Sequence, residues 1–198
     1  MVKTLFTVGN YTDIPSAEHI CRHTGKNTIV FVGKMDYDPN VIAVTWFVKK
    51  VLPELVQEFP DLKFKIVGAY PHKKVLKLAR ENKNVEVTGR VESLEPYFQN
   101  LTVFIAPMLS GAGIQNKIIQ AMSYSCCVAT TPTGAEGLNI RNGEIAIWDG
   151  REEWVNGIKN LLKSTSVRIE MGIKARQNVI NHLSVESVEK DFWEFFDL

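Results

Sequence analysis

Val103-Phe104-Ile105-Ala106-Pro107-Met108-Leu109-Ser110-Gly111-Ala112-Gly113-Ile114-Gln115-Asn116-Lys117-Ile118-Ile119-Gln120-Ala121-Met122 reads as a buried strand, a glycine-rich turn and a helix. Cys127-Val128-Ala129-Thr130 follows as the next strand. Apolar runs of strand length on either side of a helix-period segment make a βαβ unit, which calls for a parallel sheet. The turn also has a chemical reading. Glycines at 111 and 113 let backbone N–H groups approach an anion, and a helix N-terminus adds partial positive charge. Lys117 lies about one turn beyond Gly113 and so projects along the same face. That is the grammar of a phosphate or diphosphate site. Gly-x-Gly alone is equally consistent with a plain tight turn, so the choice rests on the rest of the chain.

The same alternation continues in both directions. Thr28–Gly33, Phe64–Gly68, Val85–Gly89 and Ile145–Trp148 are further apolar runs bounded by turn residues. Between them, Asn40–Phe59 carries Val44, Phe47, Val48, Val51, Leu55 and Val56 at helical spacing, with Asn40 as the expected N-cap. Pro53 should kink or restart that helix. Shorter helices are predicted over Lys73–Asn82, Leu94–Asn100 and Gly113–Tyr124, and three amphipathic ones over Glu152–Leu162, Val167–His182 and Val185–Phe196. The predicted fold class is α/β. It is a single Rossmann-like domain over residues 28–198, with about six parallel strands, helices on both faces and a helical C-terminal end. Residues 1–27 are polar and turn-rich, and read as a linker or as the end of a preceding domain.

Composition excludes several function classes. The chain has 198 residues and a formal net charge of +1, so nothing marks a nucleic-acid surface. Cys21, Cys126 and Cys127 have no disulfide or metal-ligand spacing, which fits a reducing, cytoplasmic setting. No stretch approaches the ~20 apolar residues of a membrane span. Peripheral contact with the inner face of a membrane stays open.

In an open α/β sheet, ligands bind beyond the carboxyl ends of the strands. Five small-residue loops occupy those positions: Gly33-Lys34, Gly68, Gly89-Arg90, Ser110–Lys117 and Thr130–Leu138. Lys34 and Arg90 read either as phosphate ligands or as solvated surface cations. Glu136 reads as a partner for ligand hydroxyls or as a cap on the turn at Gly137. His19, His23, His72 and His182 have no partner at metal or triad spacing, and no Walker loop is present.

Taken together, these loops resemble the C-terminal, donor-binding half of a retaining GT-B glycosyltransferase. The matching segments are Phe31-Val32-Gly33-Lys34-Met35-Asp36-Tyr37-Asp38-Pro39-Asn40, Pro60–Gly68, Val87–Val91, Gly111-x-Gly113-x-x-Asn116-Lys117 with Ala121-Met122, and Thr130 through Leu138, in order and in register. The resemblance implies one half of a GT-B fold, acting on a nucleotide-diphosphate sugar without a metal or other cofactor. It assigns Lys34, Gly111, Gly113 and Lys117 to the donor diphosphate. Gln120, Gly134, Ala135, Glu136, Gly137 and Leu138 would meet ribose and sugar, and Gly89 and Arg90 would lie on the nucleobase side. Catalytic residues and the acceptor site would sit on an N-terminal domain, covalently linked or on another chain. Two departures accompany it. The family's pair of glutamates falls at Ala112 and Gln120, and its second lysine has no clear counterpart near Asn40. An alternative reading is a non-catalytic nucleotide-sugar-binding or partner-binding subunit of a split or degenerate enzyme.

Overall fold

The computed structural model describes residues 11–23, 27–111 and 113–196. Its six strands are β1 (Thr28–Val32), β2 (Lys63–Val67), β3 (Val85–Gly89), β4 (Val103–Ala106), β5 (Val128–Thr130) and β6 (Ala146–Ile147). They form one sheet in the order β3-β2-β1-β4-β5-β6. Every pairing is parallel. All four residues of β4 and the last four of β1 are buried, as expected of central parallel strands covered on both faces. Right-handed crossovers put the helices that lead toward β3 on one face and those that lead toward β6 on the other. The order therefore reverses between β1 and β4, and a crevice opens above their carboxyl ends.

The long helix predicted over Asn40–Phe59 is three pieces. These are α1 (Asp38–Trp46), a π-helical turn (Phe47–Val51) and α2 (Leu52–Glu58). Leu52 N–H bonds back to the Phe47 carbonyl, five residues earlier. This widened turn accommodates Pro53, which has no N–H to donate and whose ring crowds the preceding carbonyls. Asn40 is not the N-cap: the helix begins at Asp38, with Pro39 in its first turn, and frees the Asn40 side chain for another task.

Next come α3 (Lys73–Glu81), α4 (Glu95–Gln99), α5 (Asn116–Ser123) and α6 (Pro132–Ala135). The last third holds α7 (Arg151–Lys163), α8 (Thr165–His182) and α9 (Val185–Phe196). Trp154 of α7 is fully buried and meets Trp46, Phe47 and Trp148 edge-on. Arg168, 1% exposed, spends its guanidinium on the α7 carbonyls of Leu161 and Leu162 and on Thr165 Oγ1. The end of α7 is thereby capped from the next helix. Acidic residues of α2 face basic residues of α7: Glu54 pairs with Arg151 (2.5 Å) and Lys159 (3.2 Å), and Glu58 with Lys159 (3.4 Å) and Lys163 (2.5 Å).

The described part of the leading segment packs on the domain. Thr12 N–H bonds to the Leu183 carbonyl, Cys21 N–H to Tyr124 O and Arg22 N–H to Gln99 O. Arg176 of α8 grips the carbonyls of Pro15 and Ser123. All three cysteines are buried free thiols. No helix among the described residues is long and apolar enough to cross a membrane.

Candidate functional site

The upper rim of the sheet is pinned by backbone bonds that continue the strand pairing into the loops. Gly33 N–H bonds to Val67 O (3.0 Å), Met35 N–H to Ala69 O (2.9 Å) and Gly68 N–H to Gly89 O (3.2 Å). Gly68 is the tightest point, because a Cβ there would lie 1.8 Å from the carbonyl oxygen of Gly33. Only a residue without a side chain lets the exits of β1 and β2 close together. The Gly33-Lys34 loop is thus held rigidly at the mouth of the crevice. Lys34 itself is exposed, with its ammonium 5.9 Å from the centre of the Tyr70 ring.

Lys117 lies in the first turn of α5, whose Ile118, Ile119, Ala121 and Met122 are buried. This anchors the helix and directs Lys117 across the crevice toward β1. Its ammonium donates to Asn40 Oδ1 (2.5 Å), lies 3.7 Å from Met108 Sδ and sits 4.9 Å above the Phe31 ring. All three neighbours are electrically neutral, and no carboxylate pairs with it among the described residues. Burial pushes its pKa down to about 8 from an ordinary 10.5, since desolvation disfavours the charged form. The other end of the Asn40 amide donates to the Lys34 carbonyl (2.9 Å), and Gly33 leaves room for it, since a Cβ there would stand 2.7 Å from Asn40 Nδ2. One buried amide therefore ties the loop of Lys34 to the ammonium of Lys117.

The glycine turn begins its helix later than the periodicity suggests. Gly111 and Gly113 have φ of +129° and +76°, outside helical space, so α5 starts at Asn116 rather than Gly113. Gly113 is exposed, and a Cβ there would meet nothing within 4 Å. Across from it, Gly137 comes so close that a Cβ would lie 3.0 Å from Ile114 Cγ1. The loops after β4 and β5 are therefore neighbours.

Gly134 differs from Gly137. It is buried, and its N–H caps back to Thr131 Oγ1 (3.1 Å). A Cβ there would strike Thr130 Oγ1 at 2.1 Å, so its glycine requirement is set by packing on β4 and β5. Ala135 and Leu138 are half-buried, and Glu136 is exposed. Gln120 is half-buried, one turn along α5 from Lys117, and its side-chain amide makes no hydrogen bond among the described residues. Gly89 and exposed Arg90 cap β3, two strands away from β1, which is roughly 10 Å at normal strand spacing. Ala112 lies outside the described residues, as do residues 1–10 and 24–26 of the leading segment.

Sequence reasoning singled out Lys34, Lys117 and the glycines, and did not single out Asn40, Phe31 and Met108, which the structure places around Lys117. The only local sign was a polar Asn40 within an otherwise apolar helix face.

Comparison with known proteins agrees with this architecture. The sequence profile of the family described as glycosyl transferases group 1 matches residues 26–164. An uncharacterised 44.6 kDa protein of the cps region of Klebsiella pneumoniae is 29% identical over 155 residues, which is 74% of this chain and 40% of that protein. Among solved structures, TarM, known from S. aureus, superposes with a TM-score of 0.79 at 21% identity, over 100% of this chain and 40% of its own. HepE of Anabaena, solved with UDP and glucose, gives 0.73 at 14% identity, over 96% of this chain and 56% of its own. The C-terminal domain of a glycosyl transferase group 1 protein, LpcC of Francisella tularensis, gives 0.68 at 15% identity, over 85% of this chain and 90% of that domain. The chain thus spans about two fifths of the length of the Klebsiella relative and of TarM. On the profile match the chain belongs to the glycosyl transferases group 1 family, and its fold is that of the C-terminal Rossmann-like half of a GT-B enzyme.

Proposed function

We propose that this domain binds the nucleoside diphosphate of a nucleotide sugar and stabilises it as the leaving group when the sugar is transferred to an acceptor. The observation that carries this reading is the half-buried Lys117 ammonium, which has only neutral partners at the crevice where the strand order reverses. A cation desolvated without a counter-charge is costly, and a ligand that supplies the negative charge recovers the loss. When the bond between sugar and β-phosphate breaks, its electron pair moves onto the phosphate oxygen. Lys117, Lys34 and the N-terminus of α5 would meet that charge without a metal. Gly111 and Gly113 would admit the phosphates, and Gly137 with its neighbours would border the sugar. Arg90 would lie near the base. The acceptor, a glycan or lipid-linked glycan, would be held by an N-terminal domain, and the relative's place in a cps region is in keeping with a role in polysaccharide assembly.

Isothermal titration with UDP, GDP and their sugars tests the reading. Binding of at least one in the micromolar to low-millimolar range is expected. No heat with any of them at millimolar concentration overturns it.

A specific observation favours a second reading, a nucleotide-sugar-binding unit that does not turn over. Gln120 offers ribose a neutral oxygen, and hydrogen bonds to a charged acceptor are about twice as strong. Gln120→Glu is expected to tighten UDP binding about fivefold while leaving pyrophosphate affinity unchanged, because only UDP carries ribose. Equal gains for both ligands, or none, would remove Gln120 from the ribose site.

A further inference from the structure

We infer that Asn40 is a positioning residue, and that its neutrality is what it contributes. It holds the Lys117 ammonium at the crevice without neutralising it, so that an incoming diphosphate meets an unpaired cation. This rests on the reading of the crevice as a diphosphate site.

Asn40 is 4% exposed and lies in the first turn of α1. Its side chain joins the loop of Lys34 to the first turn of α5. Nδ2 donates to the carbonyl of Lys34 and Oδ1 accepts from Lys117 Nζ. Both hydrogen-bonding ends of the amide are thus used, and the Cβ-free Gly33 backs it directly. The orientation of the amide follows from its partners: a carbonyl must receive Nδ2–H and an ammonium must receive an acceptor. The side chain cannot flip without leaving both unsatisfied.

Aspartate has nearly the same shape and would hold Lys117 more strongly. It would also cancel the charge that the site presents, and it would turn a second oxygen toward the Lys34 carbonyl. A purely structural cradle gains from aspartate at its lysine end, whereas an anion site loses. Burial supports the same view from another side. With no carboxylate beside it to offset the desolvation, the Lys117 pKa is pushed down to about 8. Its charge is then sensitive to whatever anion arrives.

Asn40→Asp therefore separates the two roles. Direct titration of the Lys117 side chain by NMR in the ligand-free protein is expected to give a midpoint near 8 for wild type, and a clearly higher one for Asn40→Asp. At pH 7, UDP and pyrophosphate affinities of Asn40→Asp are each expected to fall tenfold or more, with a melting temperature no lower than that of wild type. Wild-type affinity should also decline as pH rises from 8 to 10, since the free ammonium loses its proton there, whereas Asn40→Asp should be flat over that range. Asn40→Ser, which keeps a neutral acceptor, should retain affinity within about threefold. Equal affinity for wild type and Asn40→Asp at pH 7, or a Lys117 midpoint that does not move, overturns the inference. The NMR titration needs no nucleotide. If wild type binds no nucleotide, the function reading fails on its own, and the Lys117 midpoints still decide whether Asn40 sets that charge.

Discussion

Lys117→Met is expected to lower nucleoside diphosphate affinity on the order of 100-fold at pH 7, as measured by titration calorimetry. The size follows from removing a desolvated, charge-assisted partner rather than a solvated one. The variant should nevertheless fold. Methionine fills the space beside Met108 and above the Phe31 ring with a side chain of similar reach. It loses the bond to Asn40 but also removes a charge that is costly to bury, so stability at pH 7 should stay within about 1 kcal/mol of wild type. The pH profile distinguishes the two proteins further. Lys117 has a folded pKa of about 8 against 10.5 when unfolded. Between those values the unfolded chain binds more protons, so this group makes the empty protein more stable as pH rises. The gain is roughly 3 kcal/mol at one pKa unit per 1.36 kcal/mol, and below pH 8 the full penalty is present. Urea midpoints of wild type should therefore carry a rising contribution between pH 8 and 10.5 that Lys117→Met lacks. Parallel profiles for the two proteins would show that Lys117 is not desolvated.

Gly68→Ala is expected to have the largest effect on folding, lowering stability by about 3 kcal/mol or more. The added methyl would begin 1.8 Å from the Gly33 carbonyl oxygen and 2.7 Å from its carbon. Both are backbone atoms with no rotamer to retreat into, and Gly33 is itself hydrogen-bonded to Val67. The exits of β1 and β2 must separate, and the Lys34 carbonyl then moves off Asn40. A matching loss of UDP affinity should accompany the lower denaturation midpoint, with an unchanged slope against urea if unfolding stays two-state. A variant as stable as wild type would mean that the two loops are not in contact.

How far the sequence was legible depends on how local each signal is. The strands were legible because β1 and β4 are covered on both faces and so must be continuous apolar runs. The start of α5 was not, since the periodicity of its apolar residues continues into a turn whose glycines have left-handed φ. The chemistry divides in the same way. Gly111, Gly113 and Lys117 share one turn and can be read together. Asn40 and Lys117 are 77 residues apart in sequence, and only the pairing of β1 with β4 brings them together. Asn40 also sits where a helix cap would sit, so a local rule explained it away. Gly134 and Gly137 look alike in sequence, yet one is required by packing against a strand and the other faces a neighbouring loop.

The π-helical turn at Phe47–Val51 sets a rotational phase. Each residue of a helix advances the side chains by about 100°, so the extra residue held in that turn fixes which side of α2 faces α7. Glu54 and Glu58 point at Arg151, Lys159 and Lys163, while Leu52 and Leu55 enter the core. Deleting one residue there would remove the turn that accommodates Pro53 and give α2 the wrong heading, with the acidic pair swung away from its bases and the leucines off the core. At this point of the chain, length variation acts as a rotation, and relatives that change length here must re-register α2 against α7.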